Sequence, residues 1–188
     1  MALYLRFRVQ LLDVRASLWR RFLLRKTATF GDLHLAIQDA CGWGNYHLFD
    51  FRPPGSRETI AGIPDEEWGE SCPDARAVKL TSFFEPRGRQ TCIYRYDFGD
   101  GWTHEVTYEG IERLQDRFTR RLLAGEGTFP PEDCGGTYGY ERCVAAATGR
   151  GWRLEYGDDA ERAGLVEWLE GWRPDAFELA RVKREFDA

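Results

Sequence analysis

The chain has 188 residues, a formal net charge of −5, and 43% hydrophobic, 30% charged and 14% aromatic residues. This composition is typical of a globular protein and argues against a disordered chain. No stretch reaches the run of about 18 apolar residues that a membrane-spanning helix needs, so we expect a cytoplasmic protein. The five cysteines are odd in number and form no Cys-x-x-Cys pair, which favours reduced thiols over a disulfide framework or a zinc ribbon.

The first 30 residues predict two antiparallel strands that carry an excess of positive charge. Leu5, Phe7 and Val9 alternate with polar residues, and residues 18–25 form the partner strand. Seven cations against one acid give this segment a local charge of +6. On one polar face these cations would suit phosphate or an acidic protein surface, and the alternative is a solvated face balanced by acids elsewhere. The candidate patch consists of Arg6, Arg8, Arg20, Arg21 and Arg25.

The next segment predicts a helix followed by a third strand. Residues 30–40 carry apolar side chains at helical spacing. Thr29 and Asp32 resemble a capping box before this helix, and Gly42 is a left-handed C-terminal signal after it. Residues 47–52 alternate as a strand does. The order strand, strand, helix, strand predicts an α+β fold with a mostly antiparallel or mixed sheet and helices on one face.

Beyond the third strand, loops alternate with short predicted elements. Residues 53–77 are rich in Pro, Gly and acids and predict a long mobile surface loop. We expect one domain over residues 1–188, with an α+β core in 1–150 and a helical C-terminal extension in 151–188. The smaller predicted elements are a helical turn at 80–84, a strand at 118–123, and helices at 140–147, 160–172 and 175–186.

Two acids and a histidine surround a predicted hairpin at residues 94–104. Asp100-Gly101 is a strong signal for a two-residue turn, because a type I′ turn needs positive φ at both central positions. In that register Asp97 faces His104, where a carboxylate would hold the imidazole in one tautomer and raise its pKa. The pair belongs to a functional site, or it only stabilises the hairpin.

A second group of polar side chains lies on a loop. Prolines precede Glu132, Asp133 and Cys134, and two glycines follow them, so this backbone is predicted to be irregular. We hypothesise that this loop, His47 and the hairpin pair form one polar pocket with Trp102 as a wall. The alternative for Asp133 is a cap of the following turn.

These residue types suit a metal site or an enzyme. Imidazole, carboxylate and thiolate groups are ligands of zinc and other divalent transition metals. The candidate metal ligands are His47, His104, Asp97, Glu132, Asp133 and Cys134, and the candidate catalytic residues are Asp97, Asp100, His104 and Asp133.

Several motifs in order resemble the plasmid pRiA4b ORF-3-like family. They lie at residues 42–51, 94–104 and 131–140, and residues 18–21 fit the opening strand pair of that family. The resemblance covers about residues 3–186 and implies an α+β fold. Some members of the family carry resolvase-like names through association with transposable elements, but no recombinase nucleophile motif is present here. The resemblance implies no particular reaction.

Two classes of function remain open at this point. The first is a binding module in nucleic-acid or partner-protein transactions of mobile elements, which would use the basic patch with Trp102 and Tyr140 as aromatic contacts. The second is an enzyme or divalent-metal site built from the hairpin and the acidic loop. Convergence of His47, Asp97, His104 and Asp133 in space would favour the second class.

Overall fold

The computed structural model describes residues 1–64, 72–84, 88 and 90–187. The strands are β1 (Ala2–Leu11), β2 (Trp19–Arg25), β3 (Phe49–Arg52), β4 (Ala61–Gly62), β5 (Thr91–Tyr96), β6 (Trp102–Leu114) and β7 (Arg120–Glu126). The helices are α1 (Phe30–Cys41), α2 (Gly136–Thr148), α3 (Trp152–Glu155), α4 (Asp159–Trp168) and α5 (Leu179–Phe186), with a short 3-10 helix at Leu80–Ser82.

The seven strands in the described part of the chain join one antiparallel sheet in the order β4-β3-β5-β6-β1-β2-β7. Strand β1 lies between β6 and β2. Its alternating pattern gives it two different faces, because Leu5, Phe7 and Val9 are buried on one side while Arg6 and Arg8 lie on the other. The predicted α+β class with a mostly antiparallel sheet is therefore confirmed.

Helix α1 covers part of the apolar face of the sheet. Its start is fixed by a complete capping box, in which the Asp32 N–H donates to Thr29 Oγ1 and the Thr29 N–H donates to the Asp32 carboxylate. Gly42 ends the helix in the left-handed conformation, with φ of 79°. Leu33 and Ile37 are fully buried in the main core. The helix agrees with its predicted bounds to within one residue.

The C-terminal helices differ more from their predicted bounds. Helix α2 begins at Gly136, four residues earlier than predicted, because Gly135 and Gly136 adopt positive φ and turn the chain directly into the helix. Helix α4 ends earlier than predicted, and α5 packs against β7 and α1. Phe186 of α5 is buried against Phe22 of β2, with ring centroids 5.4 Å apart.

The described parts of the predicted loop at 53–77 contain regular structure. Strand β4 pairs with β3, and the Ala75 N–H donates to the carbonyl of Gly62. Residues 65–71 of this loop lie outside the described residues. Among the residues that are described, no helix has the length and apolar character that crossing a membrane requires.

Candidate metal centre

The hairpin between β5 and β6 has a longer loop than predicted. Tyr96 pairs with Trp102 and Tyr94 with His104, so residues 97–101 form a five-residue loop. Asp97 adopts φ of 52°, its carbonyl accepts from the Gly101 N–H, and its Oδ1 accepts from the Gly99 N–H at 3.0 Å. These bonds make Asp97 the first residue of the loop. The predicted turn centred on Asp100-Gly101 and the predicted pairing of Asp97 with His104 are therefore wrong.

His104 lies in the aromatic core instead of in the predicted polar pocket. Its side chain is fully buried, with ring centroids 5.5 Å from Trp43 and 6.1 Å from Phe129. Neither ring nitrogen makes a well-aligned hydrogen bond to any residue that the structure describes. Burial lowers the pKa of His104 to about 3, and the Tyr94 backbone opposes this effect only in part. The predicted rise in its pKa is wrong, because burial disfavours the imidazolium form and Asp97 does not pair with this histidine.

Three of the predicted ligands do converge. The ligand atoms of His47, Asp97 and Asp133 all lie within 4.8 Å of one another. His47 Nε2 is 3.0 Å from Asp133 Oδ1 and 3.7 Å from Asp97 Oδ2. The Asp97 side chain is only 11% exposed, whereas that of Asp133 is 64% exposed, so the group opens to solvent on the Asp133 side. Three members of the predicted polar group therefore lie together.

The geometry around His47 Nε2 fits a shared cation better than a hydrogen bond. The nitrogen is buried and close to two carboxylates, yet among the described residues it makes no well-aligned hydrogen bond. With metal-ligand bonds of about 2.1 Å, two ligand atoms lie roughly 3.0 Å apart at a right angle and roughly 3.4 Å apart at a tetrahedral angle. The two nitrogen-oxygen distances are close to these values. Because all three ligand atoms lie within 4.8 Å of one another, the group can hold one divalent ion.

Helix α1 positions the segment that carries His47. Asn45 adopts a left-handed φ of 60°, its N–H donates to Gln38 Oε1, and its Oδ1 lies 2.6 Å from His34 Nε2. Burial lowers the pKa of His34 to about 4, so this imidazole is neutral near pH 7. Its Nε2–H then donates to Asn45, and its Nδ1 accepts from the Tyr94 hydroxyl at 2.8 Å.

These supporting residues were not singled out from the sequence. The sequence does contain a signal for them, because His34 and Gln38 are four residues apart in α1 and therefore share one side of the helix. A polar pair among the buried residues of a helix needs polar partners. The sequence could not name Asn45 as that partner, because its contact depends on how the chain turns after Gly42.

The other candidate residues lie outside the three-residue group. The Glu132 carboxylate accepts from the Tyr96 hydroxyl and the Gly44 N–H, and Asp100 Oδ2 accepts from the Gly135 N–H. Cys134 packs against the buried Cys143. The two predicted aromatic contacts, Trp102 and Tyr140, are core residues that are at most 2% exposed. Trp102 packs beside Trp43, and Tyr140 packs beside Trp172.

Arg20 does not belong to the predicted basic patch. It shares the inward face of β2 with Phe22 and is only 3% exposed. Its guanidinium group stacks on Phe129 and Phe177 and donates to four backbone carbonyls, including that of Ala40 in the last turn of α1. Burial lowers the pKa of Arg20 to about 10, so the group remains charged at neutral pH.

Two of the remaining patch arginines are paired with acids on the polar face of the sheet. Arg21 forms two bonds of 2.8 Å to the carboxylate of Glu109, and Arg6 lies 2.6 Å from Glu112 and 3.2 Å from Glu109. The sequence pattern could not show this, because the acids come from the distant strand β6. For these two arginines the structure favours the alternative of a sheet face whose positive charges are balanced by acids of the same protein.

A comparison with models of protein families identifies the family, and two further comparisons find similar proteins. The family model of the plasmid pRiA4b ORF-3-like protein matches residues 4–181. The chain is 40% identical over 143 residues to the uncharacterised protein y4hQ of Sinorhizobium fredii. The aligned region covers 76% of this chain and 72% of that protein. Its fold resembles the crystal structure of MM3350, a protein of unknown function from Methanosarcina mazei Go1, with a TM-score of 0.79, 26% identity, and coverage of 96% and 98%. The chain thus belongs to the plasmid pRiA4b ORF-3-like family, as its sequence motifs predicted.

Proposed function

We propose that this protein binds a divalent metal ion through His47, Asp97 and Asp133, and that this centre is its functional site. The observation that carries the proposal is the buried Nε2 atom of His47, which lies between two carboxylates without a hydrogen bond to either. A buried polar atom without a partner is costly, and a bound cation would remove that cost.

The ligand set indicates which ions and which chemistry fit. One imidazole and two carboxylates suit zinc, manganese or iron(II), and the two negative charges balance a divalent ion. Three protein ligands leave at least one coordination position for water or substrate, which is the pattern of catalytic metal sites. A divalent ion held by these three residues would lower the pKa of water and so supply a nucleophile near neutral pH. Metal-assisted hydrolysis of an oxygen-containing substrate is therefore the reaction class that we propose.

Binding of nucleic acid or an acidic partner to the polar sheet face is the second candidate. Arg8 lies 5.0 Å above the ring of Trp19, and Arg25 is exposed at the end of β2. A cation beside an aromatic ring suits stacking on a base and contact with phosphate. Such binding would weaken steeply with added salt in an anisotropy titration with oligonucleotides, and no binding at low salt would remove this candidate.

The metal proposal predicts a metal-dependent rise in melting temperature. After chelator treatment, we expect Zn²⁺ or Mn²⁺ to raise the melting temperature, because an ion that binds only the folded state stabilises it by mass action. Asp133→Asn should abolish this rise, since the amide that replaces this exposed carboxylate is a poorer metal ligand.

Asp100→Asn is the matched control for that experiment. It makes the same chemical change on the neighbouring loop, but Asp100 contacts the Gly135 N–H instead of His47. The control should keep the metal-dependent rise. The metal proposal fails if neither ion shifts the wild-type melting temperature, or if the two variants lose the shift equally.

A further inference from the structure

Each of the three proposed ligands directly follows a member of one hydrogen-bonded group. Tyr46 precedes His47, Tyr96 precedes Asp97, and Glu132 precedes Asp133 in the chain. The Tyr96 hydroxyl donates to Glu132 Oε1 at 2.6 Å and accepts from the Tyr46 N–H at 3.0 Å. One phenol oxygen thus ties together the three segments that carry the ligands.

From this arrangement we infer that Tyr96 and Glu132 are positioning residues of the metal centre. This inference rests on the proposed metal-binding function. A second contact strengthens the tie, because Glu132 Oε2 accepts from the Gly44 N–H at 2.5 Å. The Glu132 carboxylate therefore links the acidic loop to both the strand β5 and the segment before His47.

The backbone conformation of two ligands explains why hydrogen bonds from other segments are needed. Asp97 and Asp133 adopt left-handed φ values of 52° and 56°, a conformation that residues with a side chain rarely adopt unless their surroundings impose it. Local hydrogen bonds restrain Asp97, whose Oδ1 accepts from Gly99 and Asp100. For Asp133, the adjacent Glu132 supplies bonds to two other segments.

The state of Tyr96 suits this role. The residue is fully buried, so its hydroxyl makes the bonds to Glu132 and to the Tyr46 N–H away from bulk solvent. Residues that do not touch a metal ion but hold its ligands in place tune metal sites. Their loss typically costs about 10- to 100-fold in metal affinity.

The test compares Tyr96→Phe with a tyrosine variant that removes a similar bond far from the centre. Tyr4→Phe is the matched control, because Tyr4 is 1% exposed and its hydroxyl also accepts a loop N–H, from Phe118 at 3.0 Å. Both variants lose one buried hydroxyl. Only Tyr96→Phe should change metal binding if the hydroxyl acts by positioning the ligands.

We expect calorimetric titration with Mn²⁺ alone to show binding to Tyr96→Phe that is about 10- to 100-fold weaker than to the wild type. Tyr4→Phe should bind within about threefold of the wild type, because it loses no contact with the ligand segments. With Co²⁺ as a spectroscopic probe, Tyr96→Phe should also change the visible absorption bands of the bound ion, which report ligand geometry. A purely structural role would leave those bands unchanged.

The outcomes separate this inference from the function on which it rests. No Mn²⁺ binding to the wild type would overturn both. Wild-type binding with equal affinities for Tyr96→Phe and Tyr4→Phe would overturn only the positioning role. If Tyr96→Phe does not fold, Glu132→Gln decides the question, since it keeps the shape of the side chain and should weaken Mn²⁺ binding in the same direction.

Discussion

Single residues in this protein show how burial decides between function and structure. His47 and His104 are both candidate ligands, and within the described part of the chain only His47 lies beside carboxylates. His104 is enclosed by aromatic rings, where the charged imidazolium is disfavoured. His34 is likewise buried and neutral, but its two hydrogen bonds give it a supporting role beside the site. The residue type alone could not separate these three roles.

The two buried histidines predict a stability loss in mild acid. The pKa values of His104 and His34 in the folded protein are about 3 and about 4, below the 6.5 of an ordinary histidine. Below pH 6.5 the unfolded chain therefore binds protons that the folded protein excludes, and stability falls as pH falls toward the folded values. Each histidine costs the folded state about 1.4 kcal/mol per pH unit in this range.

A variant isolates the contribution of His104. His104→Phe keeps a ring among Trp43 and Phe129 but cannot titrate. Between pH 7.5 and 5.0, the free energy of unfolding of the wild type should fall by about 2 kcal/mol more than that of the variant. Urea unfolding at both pH values measures this difference. An identical pH dependence of the two proteins would show that His104 is not held neutral.

At the scale of elements, local patterns predicted the regular structure and failed at the turns. Strands β1 and β2 and helix α1 follow their periodicity and caps, which are properties of neighbouring residues. The β5–β6 turn was wrong because Asp97 takes a left-handed conformation that ends the strand before the Asp-Gly pair. The Asp97 N–H also donates to the carbonyl of Leu48, a contact from outside the hairpin that the hairpin sequence does not reveal.

The start of α2 supplies a prediction about glycine. Gly139 lies in the first turn of this helix, where an added Cβ would come 1.7 Å from the carbonyl oxygen of Cys134. Gly139→Ala should therefore destabilise the protein by about 1–3 kcal/mol, because the clash is with backbone and the acidic loop must shift. Denaturant unfolding measures the change.

Gly164 in α4 is the control for that substitution. An added Cβ there meets nothing within 4 Å, so Gly164→Ala should stabilise the protein by up to about 1 kcal/mol through helix propensity alone. Equal stabilisation by both substitutions would contradict the close approach of Cys134 to α2.

At the scale of the whole molecule, the proposed centre forms where three distant parts of the chain meet. His47 precedes β3, Asp97 follows β5, and Asp133 precedes α2. The sequence placed all three among its candidate ligands, and the choice among those candidates needed the strand register and the path of the loops. The fold class required less, because the order of elements already favoured an antiparallel α+β protein.

The charge distribution also depends on contacts between residues that are distant in the sequence. The positive excess of the first 30 residues is a true feature of the sequence, but the fold buries Arg20 and places Glu109 and Glu112 beside Arg6 and Arg21. Long-range pairing of this kind is invisible to local charge counts. Binding to nucleic acid therefore stays a prediction with less support than the metal centre.

The most direct test of the metal centre is a crystal structure of the protein with Mn²⁺, with diffraction measured at the manganese absorption edge. We predict an anomalous-difference peak about 2.1–2.3 Å from His47 Nε2 and from one oxygen each of Asp97 and Asp133. A map without a peak at this position, in which the His47 N–H instead points at an Asp133 oxygen, would contradict the metal centre.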